Sequence, residues 1–323
     1  MNRLRAAFKG RKGAVLAVSL IVWALAVFDL TLLPRVSSQY LSPLPTKRLV
    51  GVRVAPGSMV VTSTDPKSPA NLWILNQDND ATRIVGVRLP PPHSLRGVRS
   101  KVLTPRLHTT LRAVEGTPFD VEVWPGAGPA LFALSSPRRS PLLRVLSLRT
   151  GRQLLESRVP VPPQRSDRRD FFVARWSGPR PDLFVIDRNV NRRRPPSPRR
   201  WSIRIYSGES GFRKLAFETS IKKSLSRQLS RRDWWLNVGV RRPPKPSLVL
   251  VTRGKRTGTG QTEVHVLSGH SGFHRFSLHT GTELPERDGL TRRFVFQSDR
   301  LGGAVLMTEI RHGRLRLVPV LLP

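Results

Sequence analysis

The chain repeats a unit of four short strands, and this repeat restricts the fold more than any other feature. The clearest copy lies in its second half. Residues 248–251 are an apolar run between prolines and a Gly-rich loop, residues 263–267 alternate apolar and polar, and residues 275–279 alternate again after a turn at 268–272. The copy before it matches piece by piece over 180–187, 202–212 and 214–221, and the turn Ser-Gly-x-Ser-Gly-Phe of 207–212 recurs at 268–273. A further strand precedes each copy, Arg168-Arg-Asp-Phe-Phe in one and Arg231-Arg-Asp-Trp-Trp in the other. This alignment sets Trp234 and Trp235 beside Phe171 and Phe172 and predicts that they are core aromatics. The period is roughly 60 residues.

The unit extends both ways. An earlier copy reads over 119–124, 130–134, 142–148 and 153–161, with Arg149-Thr-Gly-Arg152 as its turn. A fainter one reads over 58–62, 71–76 and 83–89, with a fourth strand near 101–107. After the clearest copy come 293–297, 304–310 and 314–321, one strand short, while the strand-like piece 48–55 is spare at the other end. The spare strand is predicted to complete the last unit and close a ring. The fold class is therefore all-β, a β-propeller-like array of about five four-stranded blades after one N-terminal transmembrane helix. An open array or a sandwich would use the same strands.

The N-terminus carries Arg3, Arg5, Lys9, Arg11 and Lys12 without an acid, then a nearly unbroken apolar run over 13–33 closed by Pro34. At about 1.5 Å per residue such a run spans a hydrocarbon core of about 30 Å. The basic flank stays in the cytoplasm and the rest of the chain goes outside. The expected organisation is a cytoplasmic flank (1–12), a signal-anchor (13–33), a linker (34–46) and an extracytoplasmic domain (47–323). Cleavage after Ala24-Leu-Ala26 is the competing reading and also exports the protein. The chain has no cysteine, which excludes disulfides, thiolate metal sites and a lipoprotein anchor.

Two stretches carry a family resemblance. Thr262-Glu-Val-His-Val-Leu-Ser-Gly269 and Phe276-Ser-Leu-His-Thr-Gly-Thr282 resemble the FG-GAP/VCBS-type repeats of secreted or surface-anchored proteins of high-GC bacteria. Phe171–Trp176 followed by Pro181-Asp-Leu183 resembles the first two strands of that repeat. The resemblance covers about 166–323 and implies an extracellular β-propeller used for ligand or protein contact, often without catalysis. The family places an Asp-rich calcium loop between its first two strands. Here the corresponding stretches, 176–182 and 240–247, keep only Asp182 among the acids and carry Arg and Lys instead. Calcium takes six to eight oxygens, largely from carboxylates, so calcium binding is not carried over.

Candidate chemistry is sparse. Gly269-His-Ser-Gly272 is similar to a nucleophile elbow, but the fifth position is Phe273 and the turn joins two strands. His265 and His279 fall on strands and read as structural; His270 and His274 flank the turn and could share zinc, but no carboxylate or thiolate stands near them. Gly258-Thr-Gly260 is a flexible loop rather than a phosphate cradle. No catalytic residue, cofactor or metal is assigned, and the chain is expected not to be an enzyme.

Charge is the remaining signal: 56 Lys+Arg against 21 Asp+Glu, a net of +35. GC-rich codon usage, to which the 29 prolines also point, competes here with a polyanionic partner. Placement bears on the choice. In a four-stranded blade the start of strand one and the loop from strand two to strand three share an end. Arg168/Arg169, Arg231/Arg232 and Arg292/Arg293 stand at strand-one starts. Arg138/Arg139, Arg192, Arg193, Arg194, Arg199 and Arg200, and Arg253, Lys255 and Arg256 stand in two-to-three loops. The expected function is thus a membrane-anchored, non-catalytic domain that binds an extracellular protein or an anionic polymer. The alternatives are an enzyme or enzyme accessory acting on wall polymers, and a DNA-handling factor at the cell surface, with nucleic acid as partner.

Overall fold

A computed structural model describes residues 48–322 apart from 55–57, 64, 66, 79, 90–99, 103–104, 113, 136–140, 163–167, 189–200, 222–233, 240–245, 254–260, 275, 284–291, 299–302 and 312–313. The chain divides into two compact units, Met1–Ser38 and Gln39–Pro323, and every described residue belongs to the second. The expected anchor, its basic flank and the linker lie outside the described residues. Among the described residues no helix is long and apolar enough to cross a membrane.

Strand β1 (Arg48–Arg53) is followed by β2 (Met59–Thr62), β3 (Leu72–Gln77), β4 (Ala81–Val87), β5 (Ser100–Val102) and β6 (Pro105–Arg112). Of these, β2, β3, β4 and β6 form one antiparallel sheet. A second sheet holds β7 (Thr117–Trp124), β8 (Gly128–Ser135), β9 (Leu142–Ser147) and β10 (Gln153–Arg158). A third holds β11 (Arg168–Ala174), β12 (Asp182–Arg188), β13 (Trp201–Tyr206) and β14 (Leu215–Ser220). A fourth holds β15 (Trp234–Gly239), β16 (Ser247–Arg253), β17 (Gln261–Leu267) and β18 (Phe276–Glu283). The fifth holds β19 (Arg292–Ser298), β20 (Gly303–Arg311) and β21 (Arg314–Leu322), and takes β1 antiparallel against β21. The spare N-terminal strand therefore sits where the unfinished unit needs it. Ser100–Val102, expected to lie in the fourth strand of the first unit, instead pairs parallel with β1 and covers its edge, and Pro105–Arg112 completes the first sheet.

The first strands touch in a cycle: β2 meets β7, β7 meets β11, β11 meets β15, β15 meets β19, and β19 returns to β2. This is a closed, propeller-like arrangement. Each sheet presents both faces to neighbours, which explains the patterning. Central strands are covered on both sides and read as continuous apolar runs, as at Leu183, Phe184, Val185 and Ile186, all fully buried. Third and fourth strands lie further out, so β9 alternates in burial and β14 is largely exposed.

The repeated turn locks one blade to the one before it. Ser207-Gly-Glu-Ser-Gly-Phe212 makes a single 3-10 turn whose N–H groups at Ser210 and Phe212 both donate to the Ser207 carbonyl. Ser268–Phe273 repeats this bond for bond. Gly211 and Gly272 are left-handed, and so, against their side chains, are Phe212 and Phe273, with φ of 64° and 65°. For a non-glycine residue this costs roughly 1–2 kcal/mol, and burial offsets it. Phe212 inserts between the second and third sheets among Trp124, Phe132 and Tyr206; Phe273 inserts between the third and fourth among Trp176, Phe184 and Leu248. Gly208 and Gly269 are dictated by a close approach, since a Cβ there would lie 2.1 Å and 2.0 Å from the carbonyl oxygens of Pro181 and Pro246.

Backbone pairing corrects the alignment of the two tryptophans. Phe171 pairs with Val185 and Val173 with Leu183, while Leu236 pairs with Leu250 and Val238 with Leu248. Leu236 is thus the counterpart of Phe171, and Trp234 and Trp235 correspond to Arg169 and Asp170. The segment 240–245 is short by the two residues that simple alignment of the Arg-Arg-Asp motifs would require. Arg231 and Arg232 lie outside the described residues, and the described strand β15 begins at Trp234.

Candidate functional site

Strand direction fixes which loops share an end. In the third sheet Arg168 lies opposite Arg188, and Arg188 opposite Trp201, so the segment 189–200 leaves and returns at the end where β11 begins. The same holds for 136–140 beside the start of β7, and for 254–260 beside the start of β15. Arg138, Arg139, Arg192, Arg193, Arg194, Arg199, Arg200, Arg231, Arg232, Lys255 and Arg256 lie outside the described residues. Arg168 opens β11, Arg253 closes β16, and Arg292 and Arg293 open β19.

Arg169 is committed elsewhere. Its guanidinium is 2% exposed and donates to both Asp187 carboxylate oxygens at 2.6 and 3.1 Å, and to the Pro162 carbonyl at 2.9 Å. Asp187 also accepts from Arg204 at 3.0 Å, and Arg204 reaches Glu218 at 2.7 Å. This chain of alternating charges ties the four strands of the third sheet together. It removes Arg169 from the set of arginines that face a partner.

A second cluster stands on the first strands, near the ring's axis, and sequence reading missed it. Asp120 and Glu122 are two residues apart on β7 and both are buried. Asp120 accepts the N–H of Val121 at 2.9 Å and, across the gap to the third sheet, that of Val173 at 2.8 Å. Glu122 reaches the other way and accepts from Ser63 Oγ at 2.6 Å and from the Asp65 and Val123 N–H groups at 3.2 and 3.0 Å. Asp65 in turn holds Arg175, which follows β11, at 2.5 Å. Burial drives the Asp120 carboxyl well above the ordinary carboxylate range; the Val173 N–H pulls it down, the Glu122 charge pushes it up again, and the Val121 N–H pulls it down. The signal available in the sequence was Asp-Val-Glu at 120–122 within a first strand, where acids at period two share a face.

The remaining acid of the expected calcium loop has other work. Asp182 is fully buried. One of its oxygens accepts the N–H groups of Trp176 and Ser177 at 2.8 and 2.9 Å, and the other accepts the Gly208 N–H at 2.9 Å. Burial raises its affinity for a proton, and these same N–H bonds oppose the rise. Ser271, at the centre of the elbow-like sequence, donates its hydroxyl to the Ser268 carbonyl at 2.9 Å, and its turn joins two strands. His274 Nε2 lies 3.2 Å from Thr219 Oγ1 of the neighbouring sheet. Among the described residues no three His, Asp or Glu side chains gather as metal ligands.

No family model and no curated protein matches the chain. Among solved structures it is similar to the endo-arabinase of Bacteroides thetaiotaomicron, at 10% identity and a TM-score of 0.47, over 88% of this chain and 97% of that one. At such identity the likeness concerns fold alone. The expectation that the chain is not an enzyme is withdrawn, and the likeness does not decide activity.

Proposed function

We propose that the chain is an envelope-anchored, extracytoplasmic propeller-like domain of the FG-GAP/VCBS kind that engages an anionic polymer of the cell envelope through the end of the ring where the first strands begin. The observation that carries this reading is strand direction: β8, β12 and β16 finish, and β9, β13 and β17 start, at that end, and the stretches between them, 136–140, 189–200 and 254–260, are basic in sequence. On this reading the basic flank stays cytoplasmic and residues 13–33 form the anchor.

The test is affinity of the full chain for duplex DNA, as a reference polyanion, across a salt series. Each phosphate contact contributes roughly 0.9 to the slope of log affinity against log salt. Replacing Arg138, Arg139 and Arg192 by Gln should reduce the slope by about 2–3. Replacing Arg149, Arg152 and Arg213, exposed at the opposite end, should leave it nearly unchanged. Equal losses from both sets would reduce the basic end to diffuse charge and refute the proposal.

A second reading is favoured by the acid pair. Hydrolysis of a glycosidic bond uses two carboxyl groups, one of them held protonated, and Asp120, whose burial favours the protonated form, stands two residues from Glu122 on β7. On this reading the chain turns over a wall polymer, and Asp120→Asn abolishes turnover while leaving salt-dependent polymer binding intact. Polymer that stays uncleaved by the unaltered chain under every wall fraction offered would remove it.

A further inference from the structure

The outer strands of the sheets hold one place in the repeat but differ in charge. In the first sheet that strand is β6. Its residues Arg106, His108, Thr110 and Arg112 are exposed, and those between them are covered. Leu107 and Leu111 pack with Trp73 and Leu148, and the Thr109 hydroxyl donates to the Leu148 carbonyl of the second sheet at 3.4 Å. Strand alternation therefore turns the exposed row away from the second sheet, over a length of about 20 Å. Arg83, opposite Thr110 on β4, is exposed as well and fills the uncharged place. The acids beside the row are Asp78 and Asp80, at its Arg112 end; Asp78 lies 3.6 Å from Arg83, both well exposed, and such a surface pair is weak. The outer strand of the second sheet exposes Gln153, Glu156 and Arg158, and that of the third Leu215, Ala216, Glu218 and Ser220. GC-rich codon usage acts on all three strands alike, so it does not explain a basic row on one of them.

The row stands beside the seam where the ring closes. β2 meets β19 there, β5 pairs with β1, and residues 103–104 alone separate β5 from β6. The chain also enters the ring at this seam, because β1 is its first strand, and residues 34–47 alone separate β1 from the apolar run of 13–33. We propose that Arg106, His108, Arg112 and Arg83 form a docking surface for the anionic headgroups of the leaflet in which the chain is anchored. The proposal rests on the anchored reading above. Each arginine close to such a surface strengthens attachment about fivefold, and the attraction fades over a Debye length of about 8 Å at physiological salt. A straight row on one strand brings its side chains to a flat layer of headgroups together. Docking by the wall at the seam leaves the end where the first strands begin open to a polymer.

The chain has no cysteine, so Thr110→Cys and Ser220→Cys each accept a single fluorescent label, the second on β14 of the third sheet. The labelled full chain is reconstituted into vesicles of phosphatidylcholine, or of phosphatidylcholine and phosphatidylglycerol in equal parts, each with a headgroup-linked quencher. Quenching at position 110 should rise severalfold in the anionic vesicles and fall back in molar salt, where the Debye length is about 3 Å. Arg106→Gln with Arg112→Gln should abolish the rise, and the label at position 220 should show none. Flotation with the neutral vesicles tests the anchor separately. A chain that does not float loses anchor and docking together; one that floats but is quenched equally in both vesicles loses the docking alone. A rise of the same size at both positions, or one that survives the double substitution, would overturn the proposal. A response of the position 110 label to soluble duplex DNA, with none to anionic vesicles, would assign the row to a polymer instead.

Discussion

Phe212 offers the sharpest test of how the blades are joined, because two physical effects act on it with opposite sign. Its ring is completely buried, with its centroid 6.2 Å from that of Trp124. Truncation of a buried Phe to Ala costs about 3–5 kcal/mol, a large share of the roughly 5–15 kcal/mol that stabilises a domain. Its backbone, at φ of 64°, is left-handed. Ala inherits that strain of about 1–2 kcal/mol, whereas Gly does not. Elsewhere in a strand or helix Gly is less stable than Ala by about 0.5–1 kcal/mol. Here the order should invert: Phe212→Ala loses about 3–5 kcal/mol, and Phe212→Gly loses about 1 kcal/mol less than that. Urea unfolding of the full chain measures both, read as shifts in the midpoint at constant m. Phe273, with φ of 65° and its ring 5.4 Å from that of Trp176, repeats the experiment one blade on. A loss below about 1 kcal/mol for Phe212→Ala, or an Ala variant more stable than the Gly variant at both positions, would refute the account of the turn as an inter-blade staple held in a strained conformation.

Asp120 predicts a pH dependence. Its carboxyl in the folded chain binds a proton more tightly than the ordinary value of 3.8, so the folded state holds more protons than the unfolded one in the window above that value. Its contribution to stability is therefore greatest in acid and falls as pH rises through the window; Asp120→Asn should flatten that segment of the stability profile, and a segment unchanged by the substitution would contradict it. Asp182 accepts three backbone N–H groups, each of which costs about 1–3 kcal/mol when buried without a partner. Asp182→Ala should accordingly lower Tm sharply, and adding Ca2+ to the metal-free chain should leave Tm unchanged, an increase showing instead that the carboxylate is a calcium ligand. Deleting residues 48–55 removes the strand between β21 and β5 and exposes the β21 edge, so the shortened chain should unfold at lower urea or aggregate; unchanged stability would show that the ring does not close through β1.

Much of the fold was legible because each sheet obeys a local rule. Alternation, turn residues and the repeated Ser-Gly-x-Ser-Gly-Phe sequence locate strands without knowledge of their partners. What failed depended on register. The Arg-Arg-Asp motifs before Phe171 and Trp234 look equivalent, yet pairing sets them two residues apart, because a first strand is positioned by its partner and not by its own sequence. Ser100–Val102 was assigned to the wrong sheet for a similar reason: a three-residue strand has too little pattern to name its neighbour. Arg169 illustrates the limit for charge. Its sequence context is that of the exposed arginines around it, and only the approach of Asp187 from the next strand makes it a buried partner. The pair at Asp120 and Glu122 escapes notice because two acids at period two on a strand carry no sign of burial, which comes only from the Val173 N–H on one side and Ser63 on the other.

Some repeat positions are fixed by close approach and others drift because only a hydrogen bond has to be met. Gly208 and Gly269 cannot change because the Pro181 and Pro246 carbonyls occupy the space a Cβ would need. The residue after that proline faces only a hydrogen-bonding requirement, the N–H that leaves the third strand, and the sheets meet it differently. Asp182 accepts the Gly208 N–H at 2.9 Å. Asn71 accepts the Leu89 N–H at 2.6 Å in the first sheet and returns a bond to the same residue's carbonyl. In the second sheet the Leu148 N–H goes to the Pro129 carbonyl at 3.0 Å, and the following residue, Ala130, has no polar side chain at all. A carboxylate here is one solution among several to a backbone problem. Its presence at Asp182 thus carries no implication of metal.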